Sequence, residues 1–253
     1  MIAARDLAQA QLDSTLGRTS PVLKLVIAMA WLVGLATTGA WGPPVVLAVV
    51  AVAAALTIGR VPPRDLARAV APLWLAALGL AFFNTAFGLA NADPAATTIT
   101  TVGPWRVTQE AIQAGVGLGL RVVAIGAIGV LFALTTDSTR LVDALVQQAR
   151  ISERFAYGAL AAYGAIPRFG SNLADLRAAR RIRGLRGSWH PRILVGLLVL
   201  AIRHGDRMAL AMDARAFGSG PRSRYRDVPW RWLDLVVAIG AAVTLGLALA
   251  AGR

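Results

Sequence analysis

Two short runs carry the residues best suited to chemistry in this chain: Ala179-Arg180-Arg181-Ile182-Arg183-Gly184 and Ala211-Met212-Asp213-Ala214-Arg215-Ala216-Phe217-Gly218. A guanidinium presents five donors in a planar fork, and at a helix end that fork is suited to capping carbonyls or pairing with carboxylates on another chain. Arg183 and Arg215 are therefore candidate docking residues, with Gly184 and Ala216 completing the two tips. The competing reading is a cation stabilised by the helix dipole, worth about 0.3–1 kcal/mol. Arg180 and Arg181 are candidates for additional docking or for contact with anionic lipid headgroups.

Other chemistries are thinly provided. The chain has no cysteine, which excludes disulfides, thiolate metal sites and cysteine catalysis. Its two histidines, His190 and His204, are too few for a histidine-rich metal site and read as structural, so no metal ligation is expected. The single lysine, Lys24, lies between two leucines rather than at the end of a glycine-rich phosphate loop, so there is no nucleotide-binding motif. Asp206 and Asp213 sit two turns apart on an arginine-rich helix and read as charge balance, not as an acid–base pair. The chain is expected to bind no cofactor and to catalyse no reaction.

The elements that must position the two tips are set by composition. Of the 253 residues, 57% are hydrophobic and 15% charged, with a mean hydropathy of +0.61. That is more apolar surface than one soluble core buries, and it places the chain among polytopic, all-α integral membrane proteins. The apolar mass is mostly Ala, Leu, Val and Gly, the small residues that let membrane helices approach closely. A net charge of +13 would suggest nucleic acid in a soluble protein. In a membrane protein it is explained by basic residues gathering in cytoplasmic loops, and no nucleic-acid partner is expected.

Residues 1–24 read as a cytoplasmic N-terminal arm, and residues 25–135 hold four spans, at about 25–41, 45–58, 69–90 and 111–134. Gly42-Pro43-Pro44 turns the first span into the second, and 59–68 is a basic loop. Residues 91–108 are polar, threonine-rich and nearly free of basic residues, with a turn at Val102-Gly103-Pro104-Trp105, and read as an external loop. Residues 136–230 read as a cytoplasmic three-helix module carrying both arginine runs, and 231–253 as a fifth, C-terminal span. The segments placed inside, 1–24, 59–68 and 136–231, then hold all basic residues except Arg106, Arg121 and Arg253, with the N-terminus cytoplasmic and the C-terminus external.

Within the module, Thr136-Asp137-Ser138-Thr139 offers caps for an amphipathic helix to about Arg150. A second helix, about 155–183, has Ile166, Phe169, Leu173 and Leu176 on a seam that ends at Arg180 and Arg183. A third opens at Pro191 and carries Leu194, Leu197, Ala201, His204, Met208 and Ala211 toward Arg215. Gln147, Gln148 and Asn172 read as exposed polar positions. Inside the membrane, Arg121 near the middle of the fourth span must face a partner, either bundle carbonyls or a neighbouring subunit. Ala111, Gly115 and Gly119 form a packing stripe on the same helix, while Asn84, Thr37 and Thr38 read as interhelical hydrogen-bonders.

Taken together, these residues resemble the transmembrane T component of energy-coupling factor transporters, the importers of vitamins and trace metals. The paired Ala-Arg-Gly-like motifs carry the resemblance, with Ile182 where alanine is usual and Ala216 where glycine is usual. Ser14, Pro21 and Lys24, then Thr135-Thr136 with Leu141 and Leu145, and the helix-interrupting Pro167 resemble further signatures of that family. The resemblance implies a multi-pass subunit of a prokaryotic plasma membrane, surrounded by lipid. It implies docking of Arg183 and Arg215 to two cytoplasmic ATP-binding subunits, which use the ATP, and an apolar surface that cradles a small substrate-binding membrane subunit. Biotin, riboflavin, thiamine precursors, cobalamin, cobalt and nickel all remain open as cargo. The alternative is a stand-alone secondary carrier, for which only Arg121 offers a midplane polar site. A lipid-modifying enzyme would need an aspartate or histidine cluster at a membrane face, and the sequence has none.

Overall fold

The structure, a computed structural model, describes residues 14–93, 95–102, 105–185, 190–220 and 226–252. Residues 1–13 of the expected N-terminal arm, the Gly103-Pro104 turn and Arg253 lie outside the described residues. Helices begin where the sequence supplies caps or prolines. Ser14 Oγ accepts from Gly17 N at 3.0 Å at the start of α1 (Thr15–Arg18). Ser20 and Pro21 open α2 (Pro21–Thr37), paired prolines open α3 (Gly42–Thr57), and Pro63 opens α4 (Pro63–Phe87). Proline is tolerated there because first-turn N–H groups have no intrahelical partner. Thr108 Oγ1 accepts from Ala111 N at 3.2 Å and opens α5 (Gln109–Thr135). Then follow α6 (Ser138–Gln147), α7 (Glu153–Ile182), α8 (Pro191–Asp213) and α9 (Trp232–Ala250).

The chain divides into two compact units, residues 1–141 with 229–253, and residues 142–228, the boundary falling inside α6. In the first unit, Trp31, Leu35, Leu47, Ala51, Ala127 and Ile128 are buried together at the centre of α2, α3 and α5. The Trp31 indole N–H donates to the Ala241 carbonyl at 3.1 Å, tying α2 to α9. The closest approach is between α4 and α5. A Cβ at Gly115 would stand 2.6 Å from the Ala81 oxygen, and one at Gly119 would stand 2.9 Å from the Ala77 oxygen. The small-residue stripe therefore seats one backbone on another. Gly126, packed on Leu73, extends it about two turns farther than the sequence reading did.

Three segments, α4 with the turn after it, α5 and α9, are long and apolar enough to cross a membrane. The apolar α2 and α3 are shorter, at 17 and 16 residues. At 1.5 Å per residue they rise about 25 Å, against a hydrocarbon layer of about 30 Å. The first helix stops at Thr37 rather than Trp41, because Thr38 turns to an extended conformation. Large apolar side chains such as Val33, Val49, Leu75, Phe82, Ile239 and Leu247 are exposed around these helices, as lipid-facing residues are.

The threonine-rich segment, expected as a polar external loop, forms a small antiparallel hairpin, β1 (Thr98–Val102) with β2 (Trp105–Thr108). Its β-branched run favours strand over coil. The polar membrane residues also behave differently from expectation. Asn84 donates to the Leu80 carbonyl, and Thr37 and Thr38 donate to the Gly34 and Leu35 carbonyls, each within its own helix rather than across an interface.

In the second unit α7 runs through Pro167 without ending, and it packs along α8. Ala144, Ala156, Ala165 and Ile193 are the unit's buried apolar residues. Leu194, at the start of the stripe that leads to Arg215, is 47% exposed, and its neighbour Ile193 is buried. The outer side of α8 carries Val195, Leu198, Val199 and Ile202 exposed, with Leu210 farther along beyond the exposed Asp206.

Candidate functional site

The two arginine runs end their helices with the same hydrogen bonds. At the end of α7, Leu185 N donates to the Arg180 oxygen at 3.2 Å and Gly184 N to the Arg181 oxygen at 3.0 Å. After α8, Phe217 N donates to the Met212 oxygen at 3.0 Å and Ala216 N to the Asp213 oxygen at 2.9 Å. In both, the pair of bonds closes around one left-handed residue, Gly184 at φ +71 and Ala216 at φ +53. This is the arrangement that satisfies the last carbonyls of a helix. Arg183 and Arg215 are each the residue immediately before the left-handed one, and both are exposed. Arg181 is exposed as well, whereas Arg180 is half-buried with its Nε unpartnered among the described residues.

The surroundings of the tips differ. Near the second, the Arg154 guanidinium at the start of α7 donates to the Gly218 carbonyl at 2.6 Å, and the Phe217 ring meets Tyr157 edge-on at 6.5 Å. Tyr157 in turn donates to the buried Asp143 carboxylate at 2.8 Å. Burial, then the bond to Asp143, pushes the Tyr157 phenol up to about 12. At the first tip, a Cβ on Gly184 would meet nothing within 4 Å among the described residues, and Ile182 and Leu185 are 86% and 50% exposed.

Sequence reasoning missed the supporting role of two glutamines. Gln147 and Gln148, read as exposed, clamp the segment leaving the unit. Gln147 donates to the Arg226 oxygen at 2.7 Å and accepts from Val228 N at 2.9 Å, and Gln148 donates to the Val228 oxygen at 2.9 Å. His190 caps α8 by accepting from Arg192 N at 3.1 Å. His204 lines a cavity of about 290 Å³ between α7 and α8, whose other walls include Gly158, Ala161, Ala165 and Gly205. Among the described residues, no group of three or more His, Asp or Glu is placed to hold a metal ion.

In the first unit, the scattered residues Ser14, Pro21, Lys24 and Thr135 come together as one polar knot. Lys24 Nζ donates to the Thr135 carbonyl at 2.6 Å. The Asp234 carboxylate accepts from Ser20 N at 2.7 Å and from Arg231 N at 2.8 Å, and Arg140 donates to the Gly17 oxygen at 2.6 Å. Asp234 was not singled out from sequence, although a lone acid in an otherwise apolar helix is a usable signal. Arg121 donates to the carbonyl of Thr38, just past the end of α2, and its Nε is buried without a partner among the described residues. It therefore lies level with the α2–α3 turn, at one end of the short helices rather than midway along all of them. A cavity of about 370 Å³ among α2, α3, α5 and α9 is walled almost wholly by apolar side chains, with Lys24 and Thr135 already bonded to each other. It offers no set of convergent polar groups to a hydrophilic solute.

Residues 13–225 match the family described as CbiQ, cobalt transport protein. An energy-coupling factor transporter transmembrane protein of Heliobacterium modesticaldum is 27% identical over 254 residues, covering 91% of each chain. Proteins of the same description from Thermotoga maritima and Listeria innocua are each 27% identical over 161 and 178 residues, covering 57% and 60% of this chain and 59% and 63% of theirs. The family match reaches into both compact units and includes Ser14, Lys24, Thr135 and the two arginine tips, and the chain thus belongs to the CbiQ/EcfT family of energy-coupling factor transporter membrane components.

Proposed function

We propose that this chain couples two cytoplasmic ATP-binding subunits to a separate substrate-binding membrane subunit, for uptake of a vitamin or trace-metal ion. The observation that carries the reading is the matched pair of helix ends, each presenting an exposed arginine one residue before a left-handed turn. In this reading Arg183 and Arg215 dock one ATP-binding subunit each, with Gly184 and Ala216 shaping the tips. The second unit faces the cytoplasm, the N-terminus lies inside and the C-terminus outside, as the charge distribution favours. The apolar outer side of α8 and the small-residue cavity between α7 and α8 would cradle the membrane partner. Selectivity for cargo resides in that partner, and ATP turnover in the other two.

The test is reconstitution in lipid with the cognate ATP-binding pair. The purified chain alone should turn over no ATP, and the complete complex should do so. A chain bearing Arg183→Ala and Arg215→Ala should still enter the membrane but fail to retain the ATP-binding subunits. Retention and transport at the unmodified rate would return both arginines to the role of solvated helix ends.

A further inference from the structure

Among the described residues, the two tips share a cap but not a support. Arg154 reaches the Gly218 carbonyl at 2.6 Å across 64 residues of sequence, and its guanidinium stem lies where a Cβ on Gly218 would have to stand. Gly218 is itself left-handed at φ +76, so glycine is what fits both the backbone and the arginine. One turn along α7, Tyr157 places its ring edge-on to Phe217 at 6.5 Å and anchors its hydroxyl on the buried Asp143 at 2.8 Å. Two consecutive residues just past Arg215 and Ala216 are thus held by two side chains of another helix, which is held in turn by α6. No such bond or ring contact reaches Gly184 among the described residues, and Ile182 and Leu185 beside it are open to solvent.

We propose that Arg154 and Tyr157 are positioning residues for the Arg215 tip, pre-organising it for its partner while the Arg183 tip takes its docking shape on contact. The inference rests on the docking reading of the two arginines. Pre-organisation matters because ordering a loop at an interface subtracts from affinity, and a tip already held avoids that cost. The Arg183 tip instead offers exposed Ile182 and Leu185, apolar area that a partner groove can bury.

Hydrogen exchange on the full-length chain in lipid tests the brace without any ATP-binding subunit. Arg154→Ala should speed exchange of the amides of residues 215–217 about tenfold, the scale of a lost hydrogen bond to a charged group, and leave those of residues 183–185 unchanged. Arg154→Lys should restore most of that protection, and Tyr157→Phe, which keeps the ring but loses Asp143, should give a smaller change at the same amides. Unchanged exchange at 215–217 in Arg154→Ala, or an equal rise at 183–185, overturns the proposal. Docking of the ATP-binding pair then supplies a double-mutant cycle. Arg154→Ala should weaken docking of a chain already carrying Arg183→Ala, and add nothing to one carrying Arg215→Ala. Equal loss in both backgrounds marks Arg154 as a general structural residue and overturns the positioning role. If neither arginine affects docking while the exchange pattern appears as stated, the docking reading fails and the brace stands.

Discussion

Arg183 and Arg215 occupy equivalent positions on their helix ends, yet the residues that follow them are not equivalent. Gly184 adopts φ +71 without penalty, whereas Ala216 holds φ +53 with a Cβ, a conformation costing an L-residue about 1–2 kcal/mol. Ala216→Gly should therefore stabilise the second tip by up to about 1 kcal/mol, less whatever glycine loses in backbone entropy. Gly184→Ala should destabilise the first tip by about 1–2 kcal/mol. Amide exchange at Leu185 and Phe217, the closing donors of the two caps, reads both changes, and opposite signs are expected. The arginines themselves should each lose docking affinity on truncation. Removal of one partner of a desolvated charge-assisted contact costs about 2–5 kcal/mol, and lysine should recover only part of it because it lacks the planar fork. Affinity of Arg183→Ala and Arg215→Ala chains for the ATP-binding pair checks this, with unchanged affinity in both contradicting it. The positions of these arginines were legible in the sequence because an apolar seam ran into them. The left-handed turn at Ala216 was not, since no glycine marked it.

At the scale of elements, what periodicity and proline could say was the existence of the helices, and α5, α8 and α9 start and stop within a few residues of expectation. Periodicity says nothing about partners distant in sequence, so the Gln147 clamp on residues 226–228 and the Arg154 brace were invisible to it. Nor could it say that Ile193 rather than Leu194 is buried, because a helix apolar on two sides has no single seam to read. The hairpin at 98–108 was readable from its β-branched run but was assigned to a loop on the strength of its polarity. The join of α6 to α7 makes its own prediction. Tyr157 keeps its proton in the folded unit to about pH 12, above the usual value near 10, by burial and by its bond to Asp143. A raised value means that the contribution is fully present below pH 10 and is lost as pH rises through about 12. The melting temperature of the unmodified chain should thus exceed that of Tyr157→Phe by a constant margin below pH 10, and the margin should close between pH 10 and about 12. A margin that stays constant across that window would detach Tyr157 from the stability of this join.

For the whole molecule, the bonds at the two ends of α2 set its depth against α5. Lys24 meets Thr135 and Thr38 meets Arg121, so 24 to 38 and 121 to 135 are matched lengths, about 21 Å each at 1.5 Å per residue. The remaining first part of α5, from Gln109 to Arg121, extends about 18 Å beyond the α2–α3 turn and is packed there by α4 and the hairpin. A bilayer of ordinary thickness cannot have its outer surface at both levels. Tilt, local thinning, or a water-filled recess above the turn resolves the mismatch, and Arg121 favours water or headgroups near it, because a guanidinium whose buried Nε has no partner among the described residues is costly in hydrocarbon. The chain's lack of cysteine makes this measurable, since single cysteines can be introduced without a background. In intact cells or sealed vesicles of known sidedness, Gly39→Cys and Thr100→Cys should both react with a membrane-impermeant maleimide added outside. Arg64→Cys and Arg181→Cys should react only after permeabilisation. Reaction at residue 100 but not at 39 would place the turn in lipid and assign the mismatch to tilt or thinning. Outside reaction at 64 or 181 would reverse the orientation of the chain, and with it the cytoplasmic docking of both arginine tips.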